Sequence, residues 1–388
     1  MDGEAYSSVR EAMRIMREGD LVAATAAIQR GLSGTTEAEP SPAARSLERG
    51  FIEGTCRVVD DQPLATKVAP VEGSPAPAST PKERTQFSEH TYSGSAGTRR
   101  YKLFIPSAYR GQPLPLIVML HGCAQTPDDF ATGTRMNMLA EQRACFVLYP
   151  EQPQSANMSK CWNWFQAGNQ RRDQGEPAII AGLVRELLVT YGLDRERIYV
   201  GGLSAGGAMA IILGRAYPEL FAAIGVHSGL PYGAAHDLPS AFAAMHQRDT
   251  SGSPSIAHRE NPQAWRRAIP TIVFHGDRDT TVHPCNGKKV VSQSTGGACN
   301  VGDGSGAAAA SEETCATGIL DGHSYTRTIF KDATGNAVVE YWLVHGAAHA
   351  WFGGDPRGSY TDAKGPDASS EMIRFFLERV RASSYESS

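Results

Sequence analysis

Several features that would restrict the function are missing from this sequence of 388 residues. No apolar run approaches the roughly 18 residues that a membrane-spanning helix needs. The N-terminus carries acidic residues where a signal peptide would have its basic and apolar regions. We therefore expect no membrane span and a cytoplasmic location, or secretion if a signal segment has been removed.

Neither sign of charge dominates, because 37 basic residues stand against 41 acidic ones and the net charge is −4. The sequence has no basic stripe that could bind nucleic acid or an anionic membrane surface. Its seven cysteines show no CxxC or His/Cys spacing of the kind that binds zinc. This balance favours small or neutral substrates, and we expect neither a nucleic-acid partner nor a metal site.

An odd number of cysteines leaves at least one thiol unpaired within a single chain. Cys145 lies in an apolar run and is expected to be a buried thiol. Cys299 and Cys315 bracket a Gly/Ala-rich loop that a disulfide could close. Disulfides, if formed, would argue against the cytoplasmic location.

The composition divides the chain into three parts. Residues 1–32 carry apolar side chains at helical spacing and predict a helical appendage, which either packs on its own domain or mediates oligomerisation. Residues 33–85 are rich in Pro, Ser and Ala and are interpreted as a linker. Residues 86–388 alternate strand and helix patterns, which predicts an α/β domain with a mostly parallel sheet and helices on both faces. Within it, residues 231–268 are irregular and could form a cap.

Other local patterns give more detailed expectations for this domain. One helix is predicted from Asp128 to Ala140, and a hairpin is predicted to turn at Asp332–Asn336. A loose loop is expected before that hairpin, ending near residue 320. The last helix, SSEMIRFFLERV, is expected to begin at a serine cap.

The segment RIYVGGLSAGGAMAIILGRAY reads as a strand, a Gly-Leu-Ser-Ala-Gly turn and a helix. This order is typical of the nucleophile elbow of α/β-hydrolases, in which a serine occupies a sharp, strained turn. Gly202 and Gly206 flank Ser204 at positions where larger side chains would collide with the neighbouring strand and helix. We interpret Ser204 as a nucleophile beside the Ala205 amide; the alternative is an ordinary turn in a chain with 40 glycines.

A serine hydroxyl needs a base, and the base needs an acid to orient it. Two strands downstream of the turn run into the segments HGDRD and HGAAH. Catalytic groups gather beyond the C-terminal ends of parallel strands, so these segments should supply the partners. Asp279 is preferred to Asp277, which is expected to brace the turn. His349 is preferred to His345, which lies at the strand end and is expected to be structural.

The loop after the strand LPLIVML is expected to supply the second oxyanion donor. Its Cys123 amide would act together with the Ala205 amide around the tetrahedral oxygen. His121 of the same loop precedes the nucleophile in the chain and is expected to brace the loop rather than to act as a base.

Aromatic residues in two loop segments are candidates for substrate binding, because their rings could stack on an acyl or sugar group. One or two of them could instead fill the core. The candidates are Trp162, Trp164, Trp351 and Phe352.

Five motifs together make the chain similar to a known family. LHGCAQTPDDF, CWNWF, GGLSAGGAM, HGDRDTTV and HAWFGGDPRGSYTD resemble the esterase family of polyhydroxybutyrate depolymerases, which is related to feruloyl and acetylxylan esterases of the α/β-hydrolase fold. The resemblance covers about residues 86–380. By position it implies the following catalytic set: Ser204, Asp279 and His349, with the Cys123 and Ala205 amides as oxyanion hole.

The resemblance implies a serine esterase that works by two-step acyl transfer without a metal or organic cofactor. Its expected substrates are poly(3-hydroxybutyrate)-type polyesters or their oligomers. Two alternatives stay open: an esterase that removes feruloyl or acetyl groups from plant polysaccharide, and a non-catalytic interaction protein built on a hydrolase domain. A further hypothesis pairs Cys161 with Cys123, which would fix the aromatic loop to the oxyanion loop.

Overall fold

The structure is a computed structural model that describes residues 86–246, 269–295, 312–320, 322–332 and 334–381. The predicted appendage and linker, residues 1–85, lie outside the described residues. The second part of the predicted cap, from residue 247 to 268, lies outside them as well.

Five of the ten strands in the main sheet are short runs in which every residue is buried: Leu116–Leu120, Phe146–Pro150, Ile198–Leu203, Ala223–His227 and Thr271–Gly276. Such runs form strands in the middle of an α/β sandwich, where helices cover both sides. The strands are β1 Gln86–Gly94, β2 Gly97–Ile105, β3 Leu116–Leu120, β4 Phe146–Pro150, β5 Ile198–Leu203, β6 Ala223–His227, β7 Thr271–Gly276, β8 Glu312–Leu320, β9 His323–Lys331, β10 Ala337–Val344, β11 Trp351–Phe352 and β12 Thr361–Asp362.

Ten of these strands form one sheet in the order β1-β2-β4-β3-β5-β6-β7-β10-β9-β8. The six central strands, from β4 to β10 in this order, are parallel to one another. An antiparallel hairpin extends each end of the sheet, β1 with β2 on one side and β8 with β9 on the other. The mostly parallel sheet predicted from the sequence is therefore confirmed.

Helices pack on both faces of this sheet and close two apolar cores. One core lies under the helices that begin at Gly175, Ala205 and Cys285, and the other lies under the helices that begin at Pro127, Met136 and Ala368. Alternate residues of β3 point to opposite cores, with Val118 in the first and Met119 in the second. The helices are α1 Pro127–Thr134, α2 Met136–Arg143, α3 Gly175–Tyr191, α4 Ala205–Ala216, α5 Leu238–His246, α6 Cys285–Ser294 and α7 Ala368–Leu377.

Three local expectations were wrong. The helix predicted from Asp128 to Ala140 is broken at Arg135, whose left-handed φ of 53° ends α1 and begins α2. Residues 312–320, expected as loop, form β8 because they pair with β9 along their full length. The cap of α7 is Asp367, whose carboxylate accepts from the Ser370 amide, rather than a serine.

Candidate active site

Ser204 lies at the junction of β5 and α4, with φ 56° and ψ −117°. Such a backbone is rare for any residue other than glycine and is typical of a strained functional turn. A Cβ atom at Gly202 would lie 2.5 Å from the Gly206 carbonyl carbon, and one at Gly206 would lie 2.0 Å from the Leu120 oxygen. Only glycine fits at either position, so the elbow geometry predicted from the sequence is confirmed.

The amides of Cys123 and Ala205 are available as donors, because neither donates a hydrogen bond within the described part of the chain. Ala205 opens α4, where backbone N–H groups have no partner in the helix. The Cys123 loop is fixed by the Gly122 amide, which donates to Gln125 Oε1 at 2.9 Å. Gly206 packs closely against Leu120 at the end of β3. This contact brings together the two segments that carry the predicted oxyanion donors, the start of α4 and the loop after β3.

Asp279 is 3% exposed and lies beyond the end of β7. Its Oδ2 accepts a hydrogen bond from His349 Nδ1 at 2.7 Å, and its Oδ1 accepts from the amides of Thr281 and Val282 at 2.9 and 2.8 Å. Burial by itself would raise the pKa of Asp279, but hydrogen bonds from His275 and His349 outweigh burial and hold that pKa well below its usual range. The carboxylate stays ionised and orients His349 so that Nε2 is its available nitrogen.

The strand order brings the three predicted triad residues to one edge of the sheet. Ser204 follows β5, Asp279 follows β7 and His349 follows the adjacent β10, with only β6 between β5 and β7. Ser204 and His349 are partly exposed, whereas Asp279 is buried. Within the described residues, no hydrogen bond joins Ser204 Oγ to His349, whose Nδ1 is bonded to Asp279.

Asp277 and His345 form a second pair of the same two residue types. His345 Nδ1 lies 3.0 Å from Asp277 Oδ2, and the Gly346 amide donates to Asp277 Oδ1 at 2.7 Å. The other ring nitrogen of His345 lies 2.9 Å from Thr326 Oγ1. Both nitrogens are engaged and the side chains are 34% and 38% exposed, so this pair braces the surface turn as expected.

His121 is buried and serves the oxyanion loop as a brace. Its Nδ1 lies 2.8 Å from the Gly122 oxygen, and its Nε2 accepts from the Gln152 amide at 3.1 Å. Burial lowers the pKa of His121 to about 4, so the ring stays neutral at physiological pH. Its carbonyl accepts from Trp162 Nε1 at 3.1 Å, which joins this loop to the aromatic loop.

The aromatic candidates for substrate binding are more enclosed than the sequence suggested. The exposed fractions are 0% for Trp162, 5% for Trp164, 1% for Trp351 and 0% for Phe352. Trp351 Nε1 donates to Ser369 Oγ at 3.0 Å, as a buried indole does when it has a structural partner. Trp162, Trp351 and Phe352 therefore support the loops from inside, as the sequence allowed for one or two of the four residues. Substrate contact by these four side chains stays a prediction.

A buried carboxylate that the sequence did not single out holds the aromatic loop. Glu176, in the first turn of α3, accepts from Gln152 Nε2 at 2.6 Å and from Asn163 Nδ2 at 2.8 Å. Its second oxygen accepts from the Asn163 amide at 2.9 Å. His275, which lies 3.4 Å from Asp279 Oδ2, was missed in the same way. No local pattern marks either residue, because both act through contacts that only the fold creates.

Cys123 and Cys161 form a disulfide, which confirms the hypothesis that the aromatic and oxyanion loops are linked. Cys145 is a buried thiol, as predicted. Cys315 is an exposed thiol in β8, and Cys299, with which the sequence allows a disulfide, lies outside the described residues.

None of the helices in the described part of the chain combines the length and the apolar character that a membrane crossing needs. In the same residues, no group of three or more His, Cys, Asp or Glu side chains is arranged to hold a metal ion.

Comparisons with known proteins find a depolymerase and several esterases similar to this chain. Poly(3-hydroxyalkanoate) depolymerase C from Paucimonas lemoignei is 31% identical over 250 residues, covering 61% of this chain and 54% of its own length. Feruloyl esterase B from Neurospora crassa is 29% identical, covering 48% of this chain and 65% of its own length. The probable acetylxylan esterase A from Neosartorya fischeri is 28% identical, covering 50% and 54%. The chain thus spans about half the length of these two curated relatives, the depolymerase and the acetylxylan esterase.

A solved structure shares the fold. The acetyl xylan esterase from Aspergillus awamori superposes with a TM-score of 0.56 at 20% identity, covering 75% of this chain and 99% of that chain. The family described as Esterase PHB depolymerase matches residues 99–316, which is more than half of the sequence. This chain belongs to the Esterase PHB depolymerase family of the α/β-hydrolase fold.

Proposed function

We propose that this chain is a serine carboxylic ester hydrolase in which Ser204, Asp279 and His349 form the catalytic triad. The observation that carries the proposal is the 2.7 Å hydrogen bond between His349 Nδ1 and the buried Asp279 carboxylate, on the same sheet edge as the strained Ser204. An ionised carboxylate on Nδ1 fixes the tautomer in which Nε2 can accept a proton. Membership of an esterase family supports an ester as the bond that is cleaved.

The proposed reaction has two acyl-transfer steps. His349 Nε2 takes the proton of Ser204 Oγ as that oxygen attacks the ester carbonyl, and the amides of Cys123 and Ala205 donate to the resulting oxyanion. The alcohol leaves with the proton from His349 and an acyl-enzyme remains. Water, activated by the same imidazole, then releases the acid and restores Ser204, while Asp279 stabilises the imidazolium in both steps.

We propose poly(3-hydroxybutyrate)-type aliphatic polyesters or their oligomers as substrates. The support is the relative named poly(3-hydroxyalkanoate) depolymerase C, at 31% identity. A second candidate is a feruloyl or acetyl ester of plant polysaccharide, supported by the relatives named feruloyl esterase B and acetylxylan esterase A. Oligomerisation through residues 1–32 stays a prediction. The Cys123–Cys161 disulfide argues against the predicted cytoplasmic location and supports the alternative of secretion.

The test measures acid released from 3-hydroxybutyrate oligomers, p-nitrophenyl esters of increasing acyl length and methyl ferulate, with wild type and Ser204→Ala. Oligomer turnover that disappears in the variant would support the polyester proposal. Ferulate turnover without oligomer cleavage would favour the second candidate. If Ser204→Ala changed the turnover of no substrate, the esterase proposal would fail and a non-catalytic interaction protein would be favoured.

The second Asp–His pair offers a matched control for the triad. Asp279→Asn and Asp277→Asn make the same chemical change two residues apart, on a buried pair and an exposed pair. We expect Asp279→Asn to lower kcat by about 10⁴, because the amide favours the wrong tautomer of His349. Asp277→Asn should leave kcat within about twofold, since exposed pairs contribute little. Equal losses in the two variants would contradict the assignment of Asp279.

A further inference from the structure

His227, the last residue of β6, contacts both segments that carry the proposed nucleophile and base. Its carbonyl oxygen accepts the hydrogen bond of the Ser204 amide at 2.8 Å. Its ring Nε2 accepts the hydrogen bond of the Phe352 amide at 3.2 Å. Phe352 follows His349 by three residues on a loop that ends in the short strand β11. One residue therefore joins the elbow to the histidine loop.

The His227 ring has one orientation. It is fully buried, with Trp351 stacked at 4.9 Å and Phe274 stacked at 5.6 Å between ring centroids. Because Phe352 donates to Nε2, the ring proton lies on Nδ1, 3.2 Å from Ser228 Oγ. Burial lowers the pKa of His227 well below its usual value, and the neutral ring keeps Nε2 as an acceptor.

The backbone around His227 is also fixed. Ser228 has a left-handed φ of 49°, and its amide donates to the Phe274 oxygen on β7 at 2.8 Å. A Cβ atom at Gly229 would lie 3.1 Å from the Gly207 carbonyl carbon of α4. This strand end therefore cannot move away from the elbow without breaking contacts on both sides.

The loop that carries His349 is held on both sides of that residue, and the Trp351 amide also donates to the Tyr360 oxygen at 2.7 Å. Before His349, the Ala347 oxygen accepts from the Arg278 amide at 3.0 Å, which ties the loop to the segment of Asp279. After it, the bond from Phe352 to His227 ties the loop to the elbow. The first of these two contacts fixes His349 relative to Asp279, and only the second fixes it relative to Ser204.

We infer that His227 is a positioning residue that sets the placement of His349 relative to Ser204, through its carbonyl on one side and its ring Nε2 on the other. The inference rests on the proposed esterase function. His227 transfers no proton in it. Misplacement of reacting groups by about 1 Å can lower turnover by 10²-fold, so a residue without substrate contact can have a large effect on kcat.

Two amide variants distinguish the effect of the hydrogen-bond acceptor at Nε2 from the effect of burying a side chain of similar size. In His227→Gln the side-chain oxygen can reach the place of Nε2 and accept from Phe352, whereas in His227→Asn the shorter side chain reaches only the place of Nδ1 near Ser228. Tyr199→Phe is the control, because it removes a buried side-chain bond to the Arg379 oxygen near the start of β5, away from the site.

We expect His227→Asn to lower kcat on p-nitrophenyl butyrate by at least about tenfold with KM within about twofold, since the effect is on alignment and not on ground-state binding. His227→Gln should retain kcat within about threefold, and Tyr199→Phe should match wild type. Hydrogen exchange of the Phe352 amide should accelerate in His227→Asn alone. A wild-type NMR experiment should show coupling between Phe352 N and His227 Nε2 across the hydrogen bond.

Equal kcat values for the Gln and Asn variants would overturn the inference, as would absence of the N–N coupling in wild type, a measurement that needs no variant to fold. If the hydrogen-exchange rate of the Phe352 amide in His227→Asn equalled that of wild type, the inference would be overturned whatever the activity of the variant. Wild type that lacks Ser204-dependent turnover would instead refute the esterase proposal, and the positioning role would fall with it.

Discussion

Removal of the Cys123–Cys161 disulfide should affect stability more than catalysis. The bridge joins residues that are 38 apart in the sequence. The chain-entropy relation for a loop of about 38 residues gives a loss of about 4 kcal/mol in the free energy of unfolding at 25 °C. Because mesophilic domains have a total of only about 5–15 kcal/mol, a double variant with alanine at both positions should be markedly less stable.

The expected effect on turnover is smaller, because other bonds keep the oxyanion loop in place. The Ala124 amide donates to the Ser159 oxygen at 2.7 Å, and Trp162 Nε1 donates to the His121 oxygen at 3.1 Å. The Cys123 amide itself survives the substitution. Deleting an oxyanion donor costs about 10²–10³ in kcat, so a displaced but retained donor should cost less than about tenfold.

The assay combines urea unfolding, kcat on a p-nitrophenyl ester and thiol titration of the denatured, unreduced protein. Of the seven cysteines, at most five should react in wild type. Seven reactive thiols would refute the disulfide. An unfolding free energy within about 1 kcal/mol of wild type would refute the entropic argument. A loss of kcat as large as the one caused by deleting an oxyanion donor would show that the disulfide, and not the hydrogen bonds, fixes the position of the Cys123 amide.

Two further changes test the elbow and the buried histidine. Gly206→Ala would place a Cβ atom 2.0 Å from the Leu120 oxygen, so it should destabilise the fold by about 1–3 kcal/mol or more and abolish ester turnover. The control is Gly168→Ala, because no atom lies within 4 Å of the added carbon. In paired unfolding and activity assays, this control should change neither stability nor turnover. The pKa of His121 is about 4 in the folded state and near 6.5 in the unfolded state. Between these two pH values only the unfolded state binds the proton, so the free energy of unfolding should fall as the pH drops from 6.5 towards 4. His121→Gln should reduce this slope by up to about 1.4 kcal/mol per pH unit in urea unfolding at pH 6.5 and 5, and an unchanged slope would contradict the buried neutral ring.

The elbow and the positions of the candidate triad residues could be predicted because each depends on a local pattern. A strand, a Gly-x-Ser-x-Gly turn and a helix in sequence leave few backbone geometries for Ser204, and the observed contacts of Gly202 and Gly206 are the ones that exclude larger side chains. The positions of Asp279 and His349 followed from the rule that functional groups lie beyond the ends of parallel strands. Both inferences need only the order of elements, which hydrophobic periodicity reveals.

The remaining features depend on tertiary contacts. Arg135 has a left-handed backbone although neither proline nor glycine occupies its position, so the break between α1 and α2 carries no sequence signal. Strand β8 exists through its pairing with β9, which composition alone did not indicate. The placement of Trp162 and Trp351 in the interior also depends on partners far along the chain, His121 and Ser369.

The two Asp–His pairs show what the fold adds to residues that are chemically alike. The parallel register of β7 and β10 aligns the two strand ends, so that the first acid meets the first histidine and the second acid meets the second. In the exposed pair, water screens the charges and a threonine occupies the second nitrogen of His345. In the buried pair, two amides and His275 stabilise the Asp279 carboxylate, and the second nitrogen of His349 is left for chemistry. The proposed catalytic pair therefore differs from the structural pair in two respects: its burial, and the contacts of the histidine nitrogen that faces away from the carboxylate. For this reason, replacing the carboxylate by an amide should have a much larger effect at Asp279 than at Asp277.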